Sequence, residues 1–488
     1  MEKKAHNQTH LLVFLFIIFC FTKLAITNHF PLINDEAYTL TISRYFSLSY
    51  FDHPPLTMWI SYLFHNLNIS DSYFFRLPSI IFSLLTGYFL YKIASTVYSQ
   101  KMGTVAAILY FISPFFFFSG GFFVVPDAAL NFSVTAATYI SLKLIFYNED
   151  KTHLWLMLGL FLAIAFLSKY QSYLFGITLF FSFIIWNKRL ILTVNFNLAL
   201  LISIFGLIPI MIWNIENNFD SFNFHQNRSS FNFDLFHVFN TLFAQFFLLL
   251  PTTGLLILMS LFNYIKSHSS RESFLVFLAL PTILIFNILI FVSDNSFAHW
   301  SMMGWMLLLP MASNTIISLK SYKPQIFSLK ILNVFLIFSL ISIVLIHAKT
   351  GFITKNYGEK LPRWDNTREL LDWGNIANIL RDNLGQSELE SMVTRNWYDS
   401  GQLSSAFNYK YNTGVVGPNS HHFKYIGLEL KNLITLIEVR LIHDYENINL
   451  NKKMISYGYN VKKSIHLPLL RGDRKYAIIS ILSLEKVR

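Results

Sequence analysis

Two short polar clusters lie between apolar stretches near the start of the sequence. The first is Asn34-Asp35-Glu36-Ala37-Tyr38, and the second is Tyr50-Phe51-Asp52-His53-Pro54-Pro55-Leu56. Acidic groups beside membrane spans are costly to desolvate, so we interpret both clusters as candidates for a functional site. A carboxylate here could remove a proton from an attacking nucleophile or hold a cation. The alternative is a solvated loop in which Asp35 caps a helix that begins at Glu36.

A further acidic candidate, Asp127, follows Pro126 at the start of an apolar stretch. Together with Asp35 it suits a site in which one carboxylate acts as a general base, because a base within hydrogen-bond reach of a hydroxyl speeds reaction by about 10²- to 10⁴-fold. The structural alternative is that Asp127 is the N-cap of the following helix.

Cations and aromatic groups recur around these acids. Lys169, Arg76 and Arg228 could bind an anionic lipid head group, or they could be anchors at the membrane interface. His53 could donate to a phosphate or ligate a metal, although the prolines that follow it also suit a structural loop. The remaining candidates could contact a sugar or acceptor, or belong to an interfacial aromatic belt; they are Phe219, Phe222, His225, His299 and Trp300.

The composition shows what kind of element must position these groups. The chain of 488 residues is 53% hydrophobic and only 13% charged, with 51 Phe and a mean hydropathy of +0.45. A soluble fold could not bury so much apolar surface, so we predict a polytopic α-helical membrane protein. The net charge is +11, and many of the basic residues lie in short loops beside apolar spans. This distribution is typical of the positive-inside rule for membrane proteins, so the charge does not indicate nucleic-acid binding. The single cysteine, Cys20, excludes a disulfide framework.

Apolar stretches of the length that a bilayer requires predict about eleven spans. The fifth and sixth are short and are separated only by Ser168-Lys169-Tyr170, which is typical of a broken or re-entrant pair. We expect residues 11–20 to belong to an uncleaved anchor rather than a signal peptide. The predicted spans are 9–27, 73–95, 102–122, 128–147, 153–167, 171–186, 190–213, 237–263, 274–293, 299–318 and 328–347.

The distribution of Lys and Arg among the loops predicts the orientation. With the amino terminus in the cytoplasm, the inside loops carry most of the basic residues before residue 350. The Asp35 cluster, Asp127, the 214–236 loop and His299 then share the extracytoplasmic face. After residue 350 charged residues become frequent, so we predict two domains: a transmembrane domain, residues 1–350, and a small soluble α/β domain, residues 351–488, outside the cytoplasm. In the second domain, helical periodicity predicts a helix in 367–384, and β-rich stretches predict strands at 392–394, 435–442 and 476–482.

The order of the motifs resembles that of bacterial family 39 and family 83 glycosyltransferases. The matching segments, which run over roughly residues 9 to 320, are Asp35-Glu36-Ala37-Tyr38, Tyr50-Phe51-Asp52-His53-Pro54-Pro55-Leu56, Arg76-Leu77-Pro78, Pro126-Asp127-Ala128, Leu167-Ser168-Lys169-Tyr170 and His299-Trp300. These enzymes have the GT-C fold and are related to protein O-mannosyltransferases and to the aminoarabinose transferase of lipid A.

The resemblance implies a hexosyl- or pentosyltransferase of the inner (plasma) membrane that moves a sugar from a polyprenyl-phosphate carrier to a lipid A, glycan or protein acceptor. It implies Asp35 as the catalytic carboxylate and Asp127 as its acidic partner. The candidate substrate-binding residues are Glu36, Tyr38, Asp52, His53, Arg76, Lys169, His225, Arg228, His299 and Trp300. The resemblance implies no definite cofactor, and a divalent cation bound by Asp35, Glu36 or Asp52 is an alternative.

One departure from the family pattern concerns the sugar. The aminoarabinose branch usually carries Glu-Lys-Pro-Pro where this chain has Asp52-His53-Pro54-Pro55. The change removes a permanent positive charge, argues against aminoarabinose and predicts a pH-dependent role for His53. The alternative functions are a transporter or flippase for a lipid-linked or anionic solute, and a non-catalytic subunit for polymer export.

Overall fold

The computed structural model describes most of the chain, and Arg228 lies outside the described residues, as does most of the predicted span 328–347. The described residues are 2–27, 29–67, 72–227, 233–293, 296–319, a few positions between 339 and 353, 371–427, 432–441, 450–471 and 474–487.

The chain forms two compact units. The first unit comprises Met1–Thr27, Ser47–Ile60 and Tyr73–Ile337. The second unit comprises Asn28–Phe46, Ser61–Ser72 and Phe338–Arg488. The segment that carries Asp35 therefore groups with the carboxy-terminal part of the chain, while the division at residue 350 stays a prediction.

Helices account for nearly all regular structure before residue 319. Pro114, Pro251 and Pro310 each stand at the start of a helix, where the missing N–H costs no hydrogen bond. The helices are Glu2–Thr27, Asn34–Ile42, Leu56–Asn66, Ser72–Val97, Gln100–Ile112, Pro114–Phe117, Asp127–Phe146, Thr152–Ser168, Gln171–Asn187, Val194–Phe205, Ile208–Glu216, Asp220–Asn227, Leu235–Leu249, Pro251–Lys266, Ser270–Val292, Met302–Leu307 and Leu309–Ser318.

Several of these elements are long and apolar enough to cross a bilayer, so the chain is a multi-pass membrane protein. Among the described residues they are His10–Thr27, Phe74–Val97, Asp127–Phe146, Val194–Glu216 and Ser270–Val292. The total number of spans stays a prediction.

Several predicted spans are bent or interrupted, including the following two. The predicted span 237–263 is a pair of helices that bends by 96° between Leu249 and Pro251, because Leu250 adopts a positive φ of 67° before the proline. The predicted span 102–122 is interrupted after Ile112, where the short helix Pro114–Phe117 begins. Neither stretch is one straight helix.

Small residues bring two apolar helices of the first unit close together. A Cβ atom on Gly159 would lie 2.6 Å from the Ala199 carbonyl oxygen, and one on Gly206 would lie 2.6 Å from the Ala163 carbonyl oxygen. Such close approach is typical of helix pairs within membranes. It fixes the helix Thr152–Ser168, whose last residue immediately precedes Lys169.

The second unit contains a five-stranded sheet. Its strands are β1 Met392–Thr394, β2 Gly414–Val415, β3 Leu433–Leu441, β4 Tyr459–Arg471 and β5 Arg474–Lys486, in the order β2-β1-β3-β5-β4. Strand β1 pairs in parallel with β2 and β3, and the other pairs are antiparallel. Strands β1, β3 and β5 overlap the stretches in which β-branched residues predict strands.

Both faces of the central strands of this sheet are buried. Ile437 and Ile479 belong to an apolar cluster with the helix Trp373–Asn383. Leu436 and Leu482 belong to a second cluster that includes Met454 of the helix Leu450–Ser456. Side chains alternate between the faces of a strand, so β5 supplies both clusters: Ile479 and Ile481 belong to the first, and Leu482 and Leu484 to the second.

Candidate active site

A buried ion pair joins Asp127 and Lys169 in the first unit. The Lys169 ammonium donates to both carboxylate oxygens of Asp127, at 2.9 and 3.0 Å. The side chains of Lys169 and Asp127 are 9% and 11% exposed. Each of these buried charges stabilises the other, because burying an isolated charge without a partner costs free energy.

Local structure explains how these two residues meet. Asp127 is the first residue of the helix Asp127–Phe146, where the helix dipole favours a negative charge. Pro126 takes the N-cap position without a side-chain hydrogen bond, so Asp127 is not the N-cap. Lys169 has extended backbone in the break between Thr152–Ser168 and Gln171–Asn187. The predicted broken pair therefore serves to place this cation.

The loop that carries Asp52 and His53 lies beside this ion pair. Its turn is closed by the Tyr50 N–H, which donates to the His53 carbonyl at 3.3 Å, and Asp52, Pro54 and Pro55 are buried. His53 interacts electrostatically with Asp52, Lys169, His225 and Asp127. The structure thus brings together polar residues from the second motif, the Pro-Asp motif and the Ser-Lys-Tyr motif.

Burial keeps the His53 imidazole neutral. It lowers the pKa of His53 to about 4, and the nearby Lys169 also lowers it, whereas the carboxylates of Asp52 and Asp127 oppose the shift. At neutral pH, His53 is therefore a neutral donor or acceptor and not a cation. We therefore expect the pH-dependent role of His53 only under acidic conditions, where the imidazole gains its proton.

This shift predicts a difference in stability between wild type and His53→Gln. Because the folded-state pKa lies below the unfolded value, the unfolded chain binds a proton first as the pH falls. The stability that neutral His53 contributes is complete above pH about 6.5 and is lost as the pH falls toward about 4. The unfolding temperature of the purified wild type should therefore decline more steeply over this interval than that of His53→Gln. Parallel declines would contradict the shift.

His225 and Tyr170 complete this side of the cluster. The Nε2 atom of His225 lies 3.1 Å from the Asp52 carbonyl oxygen, and its ring packs edge-on against Tyr170 at 5.1 Å. Burial raises the pKa of the Tyr170 phenol, so this group stays protonated and can donate. No role was assigned to Tyr170 from the sequence, although its place directly after Lys169 was a signal that could have identified it.

Three other candidates of the first unit have distinct surroundings. Arg76 is fully buried; it donates to the Thr27 carbonyl at 3.0 Å and lies over the Phe122 ring at 4.5 Å. His299 stacks on Phe297 at 5.6 Å and interacts electrostatically with Asp127. Trp300 also packs on Phe297. His299 is therefore linked to the ion pair.

Asp35 lies in the second unit, on the helix Asn34–Ile42. Its side chain is exposed, in the first turn. The helix begins before Asp35, and the N-cap residue is Ile33. The capping interaction comes from Glu36, whose buried carboxylate accepts from the Ile33 N–H at 3.2 Å. Asp35 is thus not the cap of this helix, and Glu36 has a structural partner.

Tyr38 points into an aromatic pocket of the same unit. Its hydroxyl accepts from the His422 N–H at 3.1 Å. Its ring packs against Trp397 at 4.8 Å and against Phe423 at 5.9 Å. Sequence reasoning did not identify these partners, because they lie more than 350 residues away from Tyr38.

A metal site formed by Asp35, Glu36 and Asp52 has no geometric support. Among the residues that the structure describes, no group of three His, Cys, Asp or Glu side chains is arranged to hold a metal ion.

Comparison with known proteins gives a family match and a common fold. Residues 52–213 match the family model described as dolichyl-phosphate-mannose-protein mannosyltransferase. No curated protein sequence matches the chain.

Three solved structures have a similar fold. ArnT from Cupriavidus metallidurans in the apo state has a TM-score of 0.66 at 13% identity, with 98% of each chain covered. The same protein bound to undecaprenyl phosphate has a TM-score of 0.64 at 13% identity, with 97% of this chain and 98% of that one covered. AglB from Archaeoglobus fulgidus, an oligosaccharyltransferase in complex with an inhibitory peptide and a dolichol-phosphate, has a TM-score of 0.52 at 11% identity, covering 88% and 69%. The family match and the common fold confirm that this chain resembles GT-C glycosyltransferases of the family 39 and family 83 type.

Proposed function

We propose that the protein is a membrane glycosyltransferase that moves a sugar from a polyprenyl-phosphate carrier to an acceptor on the extracytoplasmic side. The observation that carries the proposal is the buried Asp127–Lys169 pair, surrounded by the polar residues Asp52, His53 and His225. The match of residues 52–213 to a mannosyltransferase family supports it. ArnT and AglB, which share the fold, were solved with polyprenyl phosphates.

The reaction that we propose is a single displacement with inversion at the anomeric carbon. The acceptor hydroxyl oxygen forms a bond to that carbon while the bond from the carbon to the phosphate oxygen breaks. Asp35 takes the hydroxyl proton, and the electron pair of the broken bond leaves with the polyprenyl phosphate. The transition state resembles an oxocarbenium ion. A phosphate is a good leaving group, so one carboxylate suffices.

The residues around the buried pair would bind the donor. Lys169 offers a cation to the phosphate, Asp127 orients the acceptor or the base, and neutral His53 can donate a hydrogen bond. The other proposed substrate contacts are His225, Asp52, His299, Trp300 and Arg228. Glu36, Tyr38 and Arg76, which are buried and bonded to backbone atoms, would act by holding their segments in place.

The proposal requires that the catalytic groups face away from the cytoplasm. A reporter enzyme that is active only outside the cytoplasm, fused after residue 350, should therefore be active in cells. The same reporter fused after Lys151, in a loop predicted to lie inside, is the matched control and should be inactive. Activity only at the second position would reverse the predicted orientation.

Mass spectrometry of a deletion strain tests the function in cells. Loss of a glycosyltransferase should cause the polyprenyl-phosphate sugar to accumulate and one envelope component to lose that sugar. The two masses would identify donor and acceptor together. A strain with unchanged envelope glycans and unchanged carrier lipids would contradict the proposal.

A further inference from the structure

The helix Trp397–Ala406 packs closely along the helix Asn34–Ile42, which carries Asp35. The contact centres on Gly401. A Cβ atom there would lie 2.6 Å from the Tyr38 backbone nitrogen, 2.7 Å from its Cα and 2.9 Å from the Ala37 carbonyl carbon. All three neighbours are backbone atoms, so a side chain at this position would displace the helix itself.

Hydrogen bonds fix the register of the two helices. The Gln402 amide donates to the Leu32 carbonyl at 2.9 Å and to the Asn34 side-chain oxygen at 3.0 Å. One turn further on, the Thr41 hydroxyl is 3.3 Å from the Gly401 carbonyl. Gln402 is 4% exposed, and buried hydrogen bonds of this kind are costly to leave unmade. The bonds from Gln402 hold the segment that leads into the Asp35 helix, and the bond from Thr41 holds the second turn of that helix.

A third contact prevents rotation of the Asp35 helix about its axis. Tyr38 lies three residues after Asp35, and its ring is held by Trp397 and Phe423 while its hydroxyl accepts from the His422 N–H. Residues three apart lie on neighbouring parts of a helix surface. Fixing the direction of Tyr38 therefore fixes the direction in which Asp35 points.

We propose that the carboxy-terminal helix Trp397–Ala406 sets the orientation of the Asp35 carboxylate, with Gly401 and Gln402 as positioning residues. This inference rests on the proposed function of Asp35 as the base. It gives the carboxy-terminal part of the chain a role in the chemical step that is separate from donor binding. A misplacement of about 1 Å in a reacting group can cost about 10²-fold in rate.

Steady-state transfer kinetics of purified Gly401→Ala test this inference. We expect kcat to fall by about 10- to 100-fold, with the KM for the polyprenyl-phosphate sugar nearly unchanged. Gly385→Ala is the matched control, because a Cβ there would meet its nearest atom only at 3.8 Å and its φ of −76° suits alanine. It should keep the wild-type rate.

A milder substitution covers the case in which Gly401→Ala does not fold. Gln402→Met keeps the length of the side chain and removes both donated hydrogen bonds. We expect the same lowering of kcat at unchanged KM, with a smaller magnitude. An unfolding temperature near that of the wild type would show that the loss is not one of folding.

A double-mutant cycle separates positioning from an independent effect. If Gly401 acts through Asp35, adding Gly401→Ala to Asp35→Asn should change the residual rate by less than about twofold. An equal loss in both backgrounds, or wild-type kcat in folded Gly401→Ala and Gln402→Met, would overturn the inference and leave the function of Asp35 intact. A wild-type rate in Asp35→Asn alone would overturn both.

Discussion

Asp35→Asn should lower the turnover of sugar transfer by about 10²- to 10⁴-fold, which is the usual contribution of a general base. Asparagine keeps the shape of the side chain but cannot accept the proton of the acceptor hydroxyl. Asp35 is exposed in the first turn of its helix, so the change removes no buried charge. We therefore expect normal insertion and normal binding of the donor, with the loss confined to kcat.

The control for this variant is Asp382→Asn. Asp382 is likewise an exposed acid on a helix of the second unit, and its change should leave transfer unaltered. If folded Asp35→Asn transfers sugar at close to the wild-type rate, Asp35 is not the base and Asp127 becomes the next candidate.

Asp127→Asn should destabilise the protein strongly as well as abolish transfer. It leaves the Lys169 ammonium buried without its carboxylate partner, and breaking a buried ion pair from one side costs about 3–5 kcal/mol. The unfolding of purified protein in detergent measures this cost. Glu149→Gln is the control: its partner is Lys143 at 2.6 Å, but these side chains are 24% and 35% exposed, and such pairs contribute only about 0–1 kcal/mol.

The double variant Asp127→Leu with Lys169→Met separates folding from function. Replacing both charges by apolar side chains should restore much of the stability that the single variant loses. Transfer should stay absent, because the cation that we propose binds the phosphate and its partner are both gone. A double variant that is stable and fully active would show that the pair is only structural.

The transmembrane class and the main strands were accessible from the sequence because each depends on a local pattern. Apolar stretches predicted helices such as Asp127–Phe146 and Ser270–Val292. Runs of β-branched residues predicted strands in β3 and β5. Strand β4 was not predicted, because Lys462, Lys463 and Pro468 interrupt its apolar alternation. Its place at the edge of the sheet tolerates that proline.

Pairings between distant residues could not be predicted in the same way. The sequence predicted Asp127 and Lys169 as separate candidates, an acid and a phosphate-binding cation. Their ion pair depends on how the broken helix pair packs against the helix Asp127–Phe146, which no local pattern encodes. The same holds for Gly401 and Tyr38. The neutral state of His53 also follows from burial, which the sequence of its loop does not show.

The most direct test of transfer is an assay with the purified protein in proteoliposomes that contain a polyprenyl-phosphate sugar and a candidate acceptor. Free polyprenyl phosphate should appear in equal amount with the glycosylated acceptor, and Asp35→Asn should suppress both products together. If the donor instead crosses the bilayer with its sugar still attached and no free carrier appears, the protein is a flippase and not a glycosyltransferase.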